Sequence, residues 1–242
     1  GSLVDAQKPS SMVGFGDVCY RVLDATMTAL AGAIGDRAIA SGSGSTGTAV
    51  VAGRQRRSNG DHYFTTIELS SGAYGGRATR DGMNAIRYGP GNAGHIPIEA
   101  DEIENPLFFE AYEIVPDTGG AGRYRGGNGF VRAFRVMSDR AQICLCADRH
   151  ETPPPGLFGG EPGATSRYVL NPGTNNEQVL ASKTPYIDLD ANTLVRVQSA
   201  GGGGYGDPLE RDPASIADDV KNGYISEEKA VAAYGYKKAA RL

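Results

Sequence analysis

The sequence predicts an α+β fold: a β-rich, glycine-rich mixed domain with an amphipathic helix near its N-terminus and two short helices at its C-terminus. Three observations predict it. Glycine accounts for 35 of 242 residues, about twice the usual share, in punctuated clusters without a period, which suits tight turns and neither collagen nor a solenoid. Short runs rich in β-branched and aromatic residues recur between those clusters. Helical patterning is confined to the two ends.

Residues 1–16 read as an extended lead-in containing Pro9 and Gly14. Asp17 is placed to cap a helix that runs to about Gly35, with Leu23, Met27, Leu30 and Ile34 forming one apolar face. Gly35 is placed to stop it. Ser41-Gly-Ser-Gly-Ser-Thr-Gly47 reads as a loop or linker, and without a Gly-Lys-Ser/Thr ending it is no phosphate loop. Tyr63–Leu69 and Phe108–Val115 read as strands. Gly129–Met137 and Ala141–Ala147 suggest a hairpin about Ser138-Asp-Arg140, with Ile143 and Leu145 on one face and Cys144 and Cys146 on the other. Pro153-Pro-Pro155 is a rigid connector. Tyr186–Leu189 and Leu194–Val197 suggest another strand pair about Asp190-Ala-Asn192. Asp212 then caps a short helix with Pro213 in its first turn and Gly223 at its close, and Ser226 caps a second. The tail over 237–241 is expected to fray. The chain thus divides into a lead-in and helix (1–40), a β-rich core (41–211) and a helical tail (212–242), all read as one domain.

Composition narrows the function. A net charge of −4 and a pI near 5.5 give no electrostatic case for nucleic acid or acidic membranes. The tight basic cluster Arg54, Arg56 and Arg57 reads as a solvated loop. Cys19, Cys144 and Cys146 are too few for a disulfide framework, which points to a reducing compartment, the cytoplasm. No apolar run reaches the ~18 residues of a membrane span, and no signal peptide is read. The opening Gly1-Ser-Leu-Val suggests a tag scar or a cut within something longer.

The segment Gly201-Gly-Gly-Gly-Tyr205-Gly-Asp-Pro208-Leu-Glu-Arg211-Asp-Pro213 is the densest signal. A phosphate cradle is the tempting reading. A dinucleotide fingerprint, however, needs Gly-x-Gly-x-x-Gly after the first strand of a βαβ unit with more sheet beyond. Here Asp207-Pro208 intervenes and only short helices remain, so the run reads as a tightly packed crossing. A second glycine-dense segment, Asp117 to Gly129, carries Arg123 and Arg125, which could clamp an anion bidentately or tie an arch to Asp117.

Other constellations are less specific. His62, His95 and His150 lack metal-ligand spacing and read as separate side chains, unless folding brings them together with Asp81, Asp101 or Asp148. Cys144-x-Cys146 reads as buried small hydrophobes. Asp148-Arg-His150-Glu151 reads as a charged loop after a strand, and Glu99-Ala-Asp-Glu-Ile-Glu104 as a solvated acidic turn. No Ser, Cys or Thr has a recognisable base beside it. Catalytic residues remain open, with His95, Asp81 and Tyr74 as candidates.

Four segments together resemble the C-terminal half of the hydantoinase B/oxoprolinase family: Asp117–Gly129, Gly156-Leu-Phe-Gly-Gly-Glu-Pro-Gly163, Gly201–Pro213 and Asp219–Ser226. Gly75-Gly-Arg-Ala-Thr-Arg-Asp-Gly82 is similar to a further family segment, whereas Arg87–His95 departs from the family's usual run before Pro97. The resemblance implies ATP-dependent cyclic-amide hydrolysis in a hetro-oligomer with a hydantoinase A-type ATPase subunit, acting on a small-molecule substrate. It also implies that family members are about twice as long. No cofactor is expected on this chain: ATP and a divalent metal are expected on partner subunits or on the N-terminal half of the B-type subunit. A ketone (acetone or acetophenone) carboxylase subunit is the second reading, towards which Gly72–Gly82 leans. A non-catalytic assembly module is the third.

Overall fold

The computed structural model describes residues 5, 7–9, 15–58, 60–70, 72–89, 91 and 93–237. The expected lead-in and frayed tail therefore lie largely outside the described residues. Helix α1 (Phe15–Ile34) comes first, followed by β1 (Thr48–Arg57), β2 (Gly60–Leu69), α2 (Ile98–Glu104), β3 (Leu107–Ile114), β4 (Phe130–Val136) and β5 (Arg140–Cys146). Then come β6 (Arg167–Leu170), β7 (Gln178–Val179), β8 (Lys183–Leu189), β9 (Leu194–Gln198), α3 (Pro213–Lys221) and α4 (Glu227–Tyr234).

The strands form two antiparallel sheets, ordered β2-β1-β5-β8 and β3-β4-β9-β6-β7. They share one core: Val51, Phe64 and Ile143 come from the first sheet, Phe134, Tyr168 and Val195 from the second. Alternation puts these side chains inward, and each fully buried one contributes roughly 1.5–3 kcal/mol by leaving water. Mixed α+β architecture with a dominant β core is thus as expected.

Two expected hairpins are not hairpins. β4 pairs with β3 and β9, while β5 pairs with β1 and β8, so the Ser138 turn crosses between sheets. Ser138 Oγ donates to Arg54 O at 2.8 Å and pins that corner. β8 and β9 are likewise split between the two sheets. Turn spacing marks where a strand reverses but not which sheet receives it. The arginine cluster is also no loop: Arg54, Arg56 and Arg57 end strand β1, and Arg54 pairs with Asp61 of β2 at 2.9 Å.

Helix α1 turns a different face inward from the one expected. Tyr20, Asp24 and Ala31 are buried, while Leu30 is 46% exposed. Asp17 lies inside the helix, and its carboxylate accepts from Ser45 Oγ, Thr46 N and Thr46 Oγ1 at 2.8–2.9 Å. Asp24 takes the Arg149 guanidinium, which also donates to Ser41 Oγ at 2.7 Å. The helix packs on a polar wall, so its charges face in. That wall is the serine-glycine loop, whose residues 41–45 and 47 are buried; it is a packed layer and no linker. At the C-terminus both caps form as expected: Asp212 accepts from Ser215 N and Ser226 from Lys229 N, each at 3.1 Å. Each is worth about 1 kcal/mol. Ile216, Ile225, Ala230 and Tyr234 gather around Ala121 in a second small core.

Candidate functional site

The four-glycine run is a backbone crossing at the centre of the loops. Its amides donate to three separate segments: Gly201 and Gly204 to Ala164 O and Glu161 O of one, Gly202 to Gly127 O and Gly203 to Ser41 O, at 2.8–3.0 Å. A Cβ on any of the four would be driven into a backbone carbonyl, of Thr118, Tyr74, Pro155 or Ala121 respectively. Close approach, not a left-handed backbone, is what requires glycine here. A phosphate cradle needs amides free to point at the ligand. With all four committed to carbonyls, the run does not fit a nucleotide.

Asp81 sits beside this crossing. Its two carboxylate oxygens accept from Arg211 Nη1 and Nη2 at 2.7 Å each, and Oδ1 also accepts from Arg125 N at 2.7 Å. Arg211 reaches on to Asp219 at 2.6 Å, and Arg125 grips Asp219 through Nε and Nη2 at 3.2 Å. Burial pushes the Asp81 carboxyl up, but Arg211 and Arg125 overcome it and leave it below its ordinary value. Arg125 thus ties the arch to Asp219, not to Asp117, whose carboxylate accepts from Ser226 N. Arg123 is turned outward towards Glu210 at 3.7 Å, so the two arginines form no clamp.

Tyr74 packs edge-on against Tyr88 at 5.2 Å, with the Arg77 guanidinium 5.2 Å from its ring centroid. Its backbone accepts from Gly127 N and donates to Met83 O.

His95 lies at a cleft of about 380 Å³ lined by Leu69, Ala85, Ile86, Arg87, Gly94 and His95 itself. Its Nε2 is 2.9 Å from Leu69 O, and its Nδ1 meets the Tyr112 hydroxyl. A carbonyl oxygen only accepts, so Nε2 carries the proton and Nδ1 accepts from tyrosine. Burial, and then the Arg132 charge, hold His95 below its ordinary value, so the neutral ring is favoured. The His95 and Tyr112 rings both pack on Phe130, at 4.8 and 5.7 Å.

Behind them lies a buried ion pair. Arg132 and Glu68, each 1% exposed, approach at 3.3 Å. The Arg132 guanidinium stacks over Phe109 at 4.6 Å and Tyr112 at 5.1 Å. Burial outweighs Arg132 and, with Asp101 nearby, pushes Glu68 up to about 7. Asp101 belongs to α2, which replaces the expected acidic turn; its carboxylate accepts from Thr66 and Asn105.

The three candidates therefore occupy three different settings: among the described residues His95 meets Tyr112, Asp81 meets Arg211, and Tyr74 meets Tyr88. Tyr112, Arg132 and Glu68 escaped sequence reasoning. A signal existed for Glu68: it continues the inward alternation of Phe64 and Thr66 along β2, where a carboxylate needs a buried partner. His150 stands apart, with Nδ1 3.2 Å from Ser166 Oγ and its ring against Tyr168. Among the described residues, no three His, Cys, Asp or Glu side chains are grouped to hold a metal ion. No helix among them is long and apolar enough to cross a membrane.

A family model described as hydantoinase B/oxoprolinase matches residues 1–208. The chain is 31% identical over 253 residues to the caprolactamase subunit beta of Pseudomonas jessenii, covering 97% of this chain and 42% of that one. The crystal structure of the ATP-dependent caprolactamase from that organism superposes with a TM-score of 0.74 at 25% identity, over 89% of this chain and 38% of that one. The acetone carboxylase alpha subunit of Xanthobacter autotrophicus is 28% identical over 211 residues, covering 72% of this chain and 27% of that one. The chain thus spans well under half the length of these relatives.

Proposed function

Because this chain belongs to the hydantoinase B/oxoprolinase family, we propose that it serves as a B-type part of an ATP-dependent cyclic-amide hydrolase, with its substrate in the His95 cleft. Similarity to a caprolactamase subunit across 97% of the chain is the observation that carries this reading. The cleft, about 380 Å³, falls in the range of small-molecule sites. The glycine run itself offers no free amide to a nucleotide. An A-type ATPase subunit supplies ATP and its divalent metal, the N-terminal portion of the B-type subunit completes the site, and the assembly works in the cytoplasm. The isolated chain is inactive. Asp81 and Tyr74 hold the framework, and His95 faces the chemistry.

The carboxylase similarity sustains one alternative, a ketone carboxylase subunit. Purifying the native complex, identifying its subunits by mass spectrometry and assaying it with ATP separates the two. Ring opening of a lactam or hydantoin supports the first reading. Ketone-stimulated, bicarbonate-dependent ATP hydrolysis without ring opening overturns it in favour of the second.

A further inference from the structure

Resting on the reading that the His95 cleft holds the substrate, we propose that this cleft selects a molecule carrying an oxyanion, and that Arg87 is the residue that binds it.

The lining carries the argument. Leu69, Ala85, Ile86 and Ala93 give the cleft apolar walls, and Arg87 and His95 are its ionisable members. None of the described residues that line it is acidic. His95 brings no charge. Its Nε2 donates to Leu69 O, its Nδ1 accepts from Tyr112, and burial together with the Arg132 and Arg87 charges keeps the ring neutral. Arg132 stands behind it, paired with Glu68. Arg87 is therefore the charged group of this lining.

A small molecule seated against apolar walls loses water from any charge it carries, and that charge then needs an opposite, hydrogen-bonded partner. An ammonium group would be repelled by Arg87. A carboxylate or phosphoryl group would be gripped by the planar fork of guanidinium N–H donors.

The chain around Arg87 is set in advance. Ile86 O accepts from Ala73 N at 2.9 Å, and Tyr88 is buried edge-on against Tyr74. The Arg87 stem lies on Gly91, which also lines the cleft: a Cβ there would be driven into Arg87 Cγ and Cδ and into the Tyr20 hydroxyl. Glycine at this position lets the stem approach the cleft wall. Both neighbours of Arg87 are fixed, so binding orders little beyond the guanidinium itself.

The test is ligand binding by the chain, followed by NMR at the Gly91 and Gly94 amides. The probes are 6-oxopiperidine-2-carboxylate, its neutral carboxamide and inorganic phosphate. The preferred oxyanion is expected to bind about 10-fold or more tighter than the carboxamide. It should also raise the His95 pKa, because an anion beside the ring favours imidazolium. Arg87→Gln should abolish the preference, and Arg87→Lys should keep part of it as a point charge without the fork. Tighter binding of the carboxylate than of phosphate assigns the oxyanion to a ring carboxylate, and the reverse order assigns it to a phosphoryl group. If neither binds more tightly than the carboxamide, or if the preference survives in Arg87→Gln, the proposal is overturned. The comparison of charged and neutral probes is made on the wild-type chain, so it decides the matter even if Arg87→Gln fails to fold. In the complex with the ATPase partner and the remaining B-type portion, the same preference should appear in KM for ring opening. A complex that opens no cyclic amide, while the chain still binds an oxyanion through Arg87, overturns the hydrolase reading and leaves the anion site standing.

Discussion

Arg211 grips Asp81 with both terminal guanidinium nitrogens, each at 2.7 Å, across 130 residues of chain. The same guanidinium holds Asp219 at 2.6 Å, and Arg211 and Asp219 are both almost completely buried. The C-terminal helices are therefore bolted to the loop framework by charge as well as by the Ile216–Tyr234 cluster. Removing one member of such a pair leaves the other charge buried and uncompensated. Asp219→Ala should cost about 3–5 kcal/mol in chemical denaturation. A cost near zero would show the network to be ornamental.

Asp81 gives a sharper test, because a catalytic and a framework role predict different losses. Asp81→Asn keeps the shape but weakens the bidentate contact, for about 1.5–3 kcal/mol of stability. Activity per assembled complex should stay within about threefold of wild type. A large loss of kcat in a complex of normal stability would return Asp81 to the chemistry.

The glycine crossing makes a local prediction. Gly203→Val drives side-chain atoms into the Pro155 carbonyl, and the backbone on both sides is hydrogen-bonded, so neither can yield. Loss of soluble folded protein is expected, at more than about 4 kcal/mol. Gly94→Ala, where a Cβ meets nothing within 4 Å, should change stability by less than about 0.5 kcal/mol. Folding yield and Tm for the two variants check this. Folded Gly203→Val whose complex has weakened ATP affinity would contradict the account.

Glu68 sets a pH dependence. Its folded pKa of about 7 exceeds the ordinary value of 4.5, so the native state holds the proton more tightly than the unfolded chain. Its contribution is complete below about pH 4.5 and is lost as pH rises through 7. His95 and His150 both lie below their ordinary value, and they act in the opposite sense by adding stability as pH rises through the same region. The difference between wild type and Glu68→Gln isolates the carboxyl. That difference should shift against wild type by about 2 kcal/mol between pH 5 and 8, measured by urea denaturation. A flat difference would mean Glu68 is ionised throughout.

Much of this fold could be read locally. Strands β2, β3 and β5, both C-terminal caps and the stop at Gly35 follow from alternation, capping side chains and a positive φ at glycine. Pairing could not be read, because Ser138 and Asn192 mark reversals that look the same whether the next strand stays in its sheet or crosses. The inward face of α1 was hidden for a related reason: Asp17 and Asp24 are unfavourable inside until Ser45, Thr46 and Arg149 are known to meet them. The site divides the same way. His95 was a visible candidate, but Tyr112 and Arg132 join it only through the packing of β3 and β4 around Phe130.

The central claim is that this chain contributes to amide hydrolysis only as a B-type part of a larger assembly. Cyclic-amide opening with ATP tests it most directly, comparing the 242-residue chain alone with the chain joined by its A-type ATPase and the remaining B-type portion. The account predicts no turnover by the chain alone and ATP-dependent ring opening by the assembly. Ring opening by the isolated chain with ATP would contradict it.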